Sequence, residues 1–243
     1  MKKLTLLIFL FSLKSLYAQG GREITYGLFA GGLYSTMSNL PDVIVPKGVY
    51  EGYTLEEKGK FGATAGIMIN WKYPYAKISV QPELSYSFQA TDLAYEDIHG
   101  LNYKMTFAYS YLNAGMQFKY YPIEGMYVGI GPSMAFNITS DNITYSSNAE
   151  DIFGGSGTYY EPDTEVQNVL NASLTGKNYF YGTFSLGYEF NSQFFIGARY
   201  ALGISDALAT EENGHRYQEN TNKINSISLY IGYAFDFDDL TNF

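Results

Sequence analysis

Long segments of this chain alternate apolar and polar residues with a period of two, which is typical of β-strands that have two different faces. In residues 61–73, seven apolar or aromatic residues share one parity, while Gly, Thr, Met, Asn and Lys occupy the other. In residues 77–88 the apolar set returns against Lys, Ser, Gln and Glu. These segments are longer than the strand of about 5 or 6 residues that is usual in globular proteins.

Eight segments of this kind follow one another, and their connections alternate between long and short. The segments begin near Ile24, Phe61, Ile78, Leu112, Met126, Phe180, Phe194 and Ile227. The long connections are residues 35–60, 89–104, 140–178 and 205–223, and the short turns are 73–75, 121–125 and 190–193. This order is the pattern of a bacterial outer-membrane barrel. It predicts an all-β fold, an eight-stranded antiparallel up-and-down transmembrane β-barrel with both termini periplasmic and the long loops extracellular.

A soluble barrel of the lipocalin kind, with the apolar residues lining a ligand cavity, is the main alternative. Two observations favour the membrane barrel. Aromatic residues cluster on the apolar face beside the short turns, at Trp71, Tyr73, Tyr120, Tyr188, Phe190 and Phe194. The other face mixes Gly and Ser with Lys, Glu and Arg, which suits a narrow polar lumen. Because proline cannot donate to a strand ladder, we expect a bulge or a local break at Pro82 and Pro132.

The first residues have the features of a secretory signal peptide rather than of the barrel. Lys2 and Lys3 precede an apolar run over residues 4–13, and Ala18 offers a cleavage site. This run is too short for a spanning helix of about 20 residues, although an anchor that stays attached is the alternative. We therefore predict a signal peptide at residues 1–18 and a single outer-membrane barrel domain at residues 19–243.

Cleavage makes the exported protein more acidic. The full chain has 15 basic and 24 acidic residues, a net charge of −9, and loss of Lys2, Lys3 and Lys14 leaves 12 − 24 = −12. Most of the carboxylates, seventeen of the 24, fall in the four long connections. Nucleic acid is excluded as a partner, because phosphate binding depends on clustered Lys and Arg.

Catalytic and metal-binding residues are scarce. The chain has no Cys, and its two histidines, His99 and His215, fall in different long loops. We therefore predict no enzyme activity, no metal and no cofactor. A structural or surface-interaction role, in which the acidic loops bind a surface protein or a polymer, is the favoured function. Transport of small or apolar solutes, or an accessory role in a secretion system, is the alternative.

Charged residues of the lumen parity predict that the barrel is closed. The candidates are Lys77, Glu83, Lys119, Glu189 and Arg199. An eight-stranded barrel has an interior just wide enough for side chains, so these charges should meet one another rather than line a channel. Glu83 and Arg199 lie on strands three and seven of the predicted ring, and we expect them to contact each other across the lumen. Separate solvation of each charge is the alternative.

Three runs in the middle of the chain resemble the PorT-like outer-membrane β-barrel domain common in Bacteroidetes. They are residues 81–87 (QPELSYS), 111–122 (YLNAGMQFKYYP) and 127–132 (YVGIGP), with Gly115 in place of the proline usual in the second run. The resemblance implies an outer-membrane location and a small barrel whose function is mostly unassigned. The founding member of the family is tied to type IX secretion, and no catalytic residue is implied.

The last predicted strand resembles the terminal-strand signal that the barrel insertion machinery recognises. The residues with this spacing are Tyr230, Gly232, Phe235 and Phe237. An ordinary amphipathic strand followed by a short tail is the alternative. The expected partners are thus outer-membrane lipid, the insertion machinery during assembly, and a surface partner bound through the loops.

Overall fold

The structure is a computed structural model that describes residues 23–41, 52–139, 143–209, 211–212, 215–216 and 221–236. The predicted signal peptide lies outside the described residues. The strands are β1 (Glu23–Met37), β2 (Tyr53–Tyr73), β3 (Ile78–Asp97), β4 (Asn102–Ile123), β5 (Met126–Asn137), β6 (Ile143–Ser147), β7 (Thr175–Gly176), β8 (Tyr179–Glu189), β9 (Phe194–Gly203), β10 (Leu208–Ala209), β11 (Glu211–Glu212), β12 (His215–Arg216) and β13 (Ile224–Asp236). The helices are α1 (Ala149–Phe153) and α2 (Asp163–Ser173). Within these ranges no helix combines the length and hydropathy needed to cross a membrane.

Eight strands form a closed antiparallel ring. Its order is β1, β2, β3, β4, β5, β8, β9 and β13, and β13 pairs again with β1. Ala30 of β1, for example, lies opposite Ala65 of β2 on one side and Ile231 of β13 on the other. Closure leaves the ring without an open edge, so backbone donors and acceptors pair between neighbouring strands. The predicted eight-stranded barrel is confirmed.

Large apolar side chains cover the outside of this ring. One residue from each strand shows the pattern, with exposed fractions between 42% and 67%: Leu28, Ile67, Leu84, Phe118, Ile130, Phe184, Ile196 and Leu229. Apolar exposure on every strand is the apolar belt of a transmembrane barrel, and a soluble protein would have to bury it. The apolar set therefore does not line a cavity, and the lipocalin alternative is wrong.

The register of the strand pairs shifts in β2 and, near the short turn, between Tyr120 and Ile123 of β4, but not at the prolines. Between the pairs Gly59–Thr91 and Ala63–Phe88 there are four steps along β2 but three along β3, so β2 carries one extra residue. Around Pro82 the flanking pairs of the β2–β3 ladder keep one register, and so do those around Pro132 in the β4–β5 ladder. The pairs that would contain these prolines are missing from the two ladders, which is the local break expected at each proline. A proline removes one hydrogen bond without adding a residue, so the alternation continues through it.

Several segments predicted as long loops are ordered structure. β2 begins at Tyr53, inside the predicted loop 35–60, and β3 and β4 continue through most of 89–104. The segment 140–178 contains β6, α1, α2 and β7. β6 pairs with β4 beyond the point where β5 leaves it. The ring strands β2 to β4 therefore extend past the apolar belt, where together with β6 they form a sheet that is named here the raised sheet. The two faces of these strands continue to alternate there, although more of the residues are polar.

Candidate functional site in the barrel lumen

Glu83 of β3 and Arg199 of β9 meet inside the barrel. Arg199 donates from Nη1 to Oε1 of Glu83 at 2.7 Å and from Nη2 to Oε2 at 2.8 Å. The side chain of Arg199 is 12% exposed and that of Glu83 is 3% exposed. Two parallel charge-assisted hydrogen bonds hold the guanidinium and the carboxylate in one plane. The structure thus brings together the two residues for which sequence analysis gave contact or separate solvation as alternatives.

Aromatic rings surround the guanidinium of Arg199. Its central carbon lies 5.2 Å from the ring centroid of Tyr230 and 5.8 Å from that of Phe29. The hydroxyl of Tyr230 is hydrogen-bonded to that of Tyr127 at 2.9 Å. Stacking on aromatic faces favours Arg over Lys at such a position. The Glu83–Arg199 pair is therefore part of a packed layer that spans the lumen.

A second charged group lies nearer the short-turn end. Glu189 of β8 pairs with Lys119 of β4 at 3.2 Å and with Lys72 of β2 at 3.1 Å. It also accepts a 2.8 Å hydrogen bond from the hydroxyl of Tyr121. Lys119 is almost fully buried, and its Nζ lies 3.8 Å from the ring centroid of Tyr127. Two ammonium groups share one carboxylate here, so the three charges close this level of the lumen.

Lys77 does not belong to the lumen charges. It is exposed and follows the 3-10 turn Pro74–Ala76, with a left-handed backbone at φ 54°. β3 begins only at the next residue. Strand alternation does not apply in the turn, so the parity that assigned Lys77 to the lumen is wrong at this position.

Uncharged polar residues fill the middle of the lumen. Gln117 of β4 donates to Thr183 of β8 and accepts a 3.1 Å hydrogen bond from Ser185. Asn113 of β4 donates to Ser87 of the neighbouring β3 at 3.0 Å. All of these side chains are buried. Short polar side chains therefore bridge β4 and β8 at the level of Arg199, whose register partner is Ser185, and bridge β3 and β4 on the long-loop side of Glu83.

The half of the lumen toward the long loops is apolar, which corrects the prediction of a polar lumen throughout. Buried residues of the strands, of α2 and of the connections beside them form one cluster, named here the apolar plug: Met37, Leu40, Leu93, Met105, Phe107, Tyr109, Tyr111, Ala135, Ile143, Leu170, Leu174, Tyr179, Tyr181, Ala207, Leu208 and Ile224. Sequence analysis placed the aromatic residues mainly on the lipid face. Tyr109 and Tyr111 have the opposite parity to the lipid-facing Leu112, and this is the sequence signal that would have placed them inside the barrel.

Helix α2 covers the free edge of β6 with a row of side-chain acceptors. The backbone N–H groups of Ile143, Tyr145 and Ser147 donate to the side chains of Asn171, Gln167 and Asp163 at 2.9, 3.0 and 2.8 Å. Two residues along a strand advance by about 6.6 Å and four residues along a helix by about 6 Å, so the spacings match. The i, i+4, i+8 row of α2 therefore replaces a neighbouring strand.

A cavity of 290 Å³ opens at the short-turn end of the lumen. Glu23, Lys72, Glu124 and Glu189 are its charged lining residues, and Asn70 lies at its inner wall. Lys72 and Glu189, which form an ion pair, both line it. The inner part of this cavity is lined by Met68 and Phe195, which pack in one cluster with Phe29 and Tyr230.

The residues of the predicted terminal-strand signal lie on both faces of β13. Tyr230 points into the lumen, and Gly232 lies against the ring of Phe195, where a Cβ atom would collide with that ring. Phe235 stacks with Tyr26, with ring centroids 6.3 Å apart. Phe237 lies outside the described residues. Tyr230 and Gly232 therefore take part in packing inside the barrel.

The described residues offer no site of metal or histidine chemistry. Among them, no three His, Cys, Asp or Glu side chains are close enough to hold a metal ion. His99 lies at the tip between β3 and β4, where its backbone N–H donates to Asp97 at 2.8 Å. The side chain of His215 is outside the described part of the chain.

Comparison with protein families agrees with this architecture. The model of the family described as "Outer membrane protein beta-barrel domain" matches residues 17–209, which is most of the chain. The chain belongs to this outer-membrane β-barrel family. It is accordingly an integral protein of the outer membrane. No curated protein matches the chain.

Solved structures with a similar fold are other outer-membrane barrels. Neisserial surface protein A is 8% identical to this chain, with a TM-score of 0.43. The match covers 86% of this chain and 97% of the Neisserial protein. OprG of Pseudomonas aeruginosa is 12% identical, with a TM-score of 0.42, and the match covers 89% of this chain and 98% of OprG. AlkL is 14% identical, with a TM-score of 0.45, and the match covers 90% of this chain and 93% of AlkL.

Proposed function

We propose that this protein is a non-conducting outer-membrane barrel that displays its raised sheet and helices at the cell surface as a binding platform. The supporting observation is the closure of the lumen at two levels, by the charged layers around Glu83 and Glu189 and by the apolar plug. A filled lumen leaves the long-loop end as the part of the molecule with room for a partner. No catalytic role is part of this proposal.

The long-loop end faces the outside of the cell and both termini face the periplasm. β1 begins and β13 ends at the short-turn end of the ring, because Glu23 lies opposite Lys72, just before the turn Pro74–Ala76, and Thr25 lies opposite Asp236. Residues 1–18 are removed as a signal peptide. Absence of Cys in the chain makes this orientation testable with single cysteines. A membrane-impermeant maleimide should label Tyr159→Cys on intact cells, and Tyr75→Cys only after permeabilisation, since both side chains are highly exposed at opposite ends.

The tip of the platform is rigid. The side chain of Asn148, just before α1, donates to the carbonyl of Gly100 at 2.9 Å and accepts from the N–H of Asn102 at 2.9 Å. The carboxylate of Asp97 accepts two further N–H groups within the same hairpin. These bonds hold the exposed side chain of Ile98 at the end of the molecule. A preorganised apolar residue loses little entropy on binding, which suits a contact surface.

Planar-bilayer recording tests the closed lumen. The purified barrel should show no steady conductance, because ion pairs and apolar side chains occupy the lumen. A steady, large conductance would show a transport barrel instead.

Crosslinking tests the platform: a photoreactive residue at position 98 or 159 should form adducts on intact cells, whereas one at position 75 should not. Absence of adducts from both tip positions would refute a surface partner there.

The alternative to a binding platform is a role in secretion, which the resemblance to the PorT-like subgroup suggests. The three runs that carry this resemblance, residues 81–87, 111–122 and 127–132, lie in adjacent strands β3, β4 and β5. Deletion of the gene, followed by comparison of the secreted proteins, separates the two roles. A general loss of secreted proteins would favour a secretion component over a binding platform. Recognition of β13 by the insertion machinery remains part of this proposal.

A further inference from the structure

Charged side chains lie on the outward face of β2, β3 and β4, just beyond the apolar belt. On β3 the belt ends at Phe88, and Asp92 lies on the same outward face four residues further along. Four residues span about 13 Å along a strand, or about 10 Å along the membrane normal for a strand tilted by about 40°. Lysine side chains at this level reach back toward the headgroup layer while their ammonium groups stay solvated. These charges therefore lie where a lipid headgroup would be.

Asp92 holds two ammonium groups in place. Its carboxylate pairs with Lys104 at 2.8 Å and with Lys60 at 3.2 Å, and it accepts a 2.6 Å hydrogen bond from Thr106. The Asp92 side chain is 12% exposed, while those of Lys60 and Lys104 are 39% and 52% exposed. This triad has a net charge of +1. Each ammonium group keeps further N–H donors toward the outside.

The bulge in β2 turns Lys60 to this face. Lys60 and Phe61 are neighbours in the chain, and both side chains lie on the outward face. Regular alternation would put one of the two inside the barrel, and bulges commonly re-aim a side chain in this way. Ser35 of β1 stabilises the region, because its hydroxyl donates to the carbonyl of Ala90 at 3.0 Å and accepts from the N–H of Ala90 at 3.1 Å.

A polar groove of 520 Å³ continues outward from Lys104. Its hydroxyl and amide groups come from Thr54, Asn102, Ser146 and Asn148. Lys58 and Glu56, which pair at 2.9 Å, also line it, as does the carboxylate of Glu96. Such a mixture of donors and acceptors suits the hydroxyl groups of a sugar. Three of the five described lysines at the long-loop end, Lys58, Lys60 and Lys104, lie on this one face.

We propose that this face binds the phosphorylated sugar headgroup of an outer-leaflet lipid. The phosphate accepts from the ammonium groups of Lys60 and Lys104, and the sugar lies in the groove beside Asn102 and Asn148. This inference rests on the proposed orientation, with the long-loop end outside, and on neither the closed lumen nor a surface partner. A soluble phosphorylated saccharide has the same chemistry, so the test includes both sources.

The test uses the purified full barrel in phosphatidylcholine nanodiscs with a small fraction of bisphosphorylated glucosamine-disaccharide lipid. Native mass spectrometry should detect one retained glycolipid per barrel. Since a surface lysine contributes about 1 kcal/mol to binding of an anionic lipid, the double variant Lys60→Ala/Lys104→Ala should bind about thirtyfold more weakly. Lys60→Arg/Lys104→Arg should retain binding. Lys177→Ala, at an exposed lysine away from this face, is the matched control.

Equal binding by the double alanine variant, with its circular dichroism unchanged, would overturn the proposal. So would equal retention of the same lipid after removal of its phosphates. Glucosamine phosphate in solution should compete only weakly, and competition as strong as that of the lipid would show a soluble ligand instead. Nanodiscs expose both ends of the barrel, so a wrong orientation would appear in the cysteine labelling and not in this measurement.

Discussion

Arg199 depends on Glu83 for its place in the barrel interior. Both side chains are nearly buried, and the guanidinium makes two short hydrogen bonds to one carboxylate. Taking a charge out of water is costly unless a partner of opposite charge stays with it. The pair therefore matters less as a source of stability than as a requirement that both members be present.

Replacement of Arg199 alone should destabilise the barrel more than removal of the pair. Arg199→Ala leaves the Glu83 carboxylate buried without its partner and should lower the free energy of unfolding by about 3–5 kcal/mol. Arg199→Ala/Glu83→Ala should lose less, since both charges are gone. Urea unfolding in lipid vesicles measures these values, with Lys77→Ala as a control at an exposed turn residue. Equal losses in the single and double variants would contradict this account.

At the scale of elements, α2 and the raised sheet depend on side chains that bond to backbone. Asn171 accepts the N–H of Ile143 and donates to its carbonyl at 3.0 Å, as a paired strand residue would. The same helix contributes Leu170 to the apolar plug. The sequence predicts a loop for residues 163–173. The acceptor side chains of α2 match β6, which is distant in the sequence, and contacts of this kind leave no periodic pattern in residues 163–173 themselves.

Loss of one acceptor on α2 should loosen the edge of β6. Asn171→Ala leaves the N–H of Ile143 without its acceptor and should cost about 1–3 kcal/mol of local stability. Hydrogen exchange at the Ile143 amide should become faster by a corresponding factor. Asn168→Ala, at an exposed position of the same helix, is the matched control. An unchanged exchange rate in Asn171→Ala would show that water replaces the side chain at no cost.

The triad of the raised sheet should give a defined pH dependence. Partial burial raises the pKa of Asp92, but hydrogen bonds from Lys104, Thr106 and Lys60 outweigh it and hold the pKa below its ordinary value. Its carboxylate therefore stabilises the fold above the unfolded pKa of about 3.9, and this contribution disappears as the pH falls through the lower folded pKa.

Comparison of the wild type with Asp92→Asn measures this contribution. At pH 7 the variant should be less stable by at most about 1 kcal/mol, because the lysine partners are partly exposed. The difference in the free energy of unfolding should narrow below about pH 4. A difference that stays constant down to pH 2 would mean that the charge of Asp92 is not what stabilises the sheet.

At the scale of the whole molecule, the proposed closed lumen has two layers of side chains. The charged layers occupy the short-turn half of the lumen and the apolar plug occupies the other half. Removal of one layer should therefore not open a path. We expect Arg199→Ala to remain without steady conductance in planar bilayers, because the plug is unaffected. Ion flow through this single variant would show that the Glu83–Arg199 pair is the only barrier.

Local alternation in the sequence determined the number of strands, their lipid-facing sides and the short turns, because the pleat of a strand imposes a period of two on its own residues. It also identified Glu83 and Arg199 as residues of one lumen. Only the tertiary structure decided that they touch, that the bulge lies at Lys60 and Phe61, and that α2 covers β6. These contacts join residues that are far apart in sequence and depend on the tilt and stagger of the closed ring, which no single segment specifies.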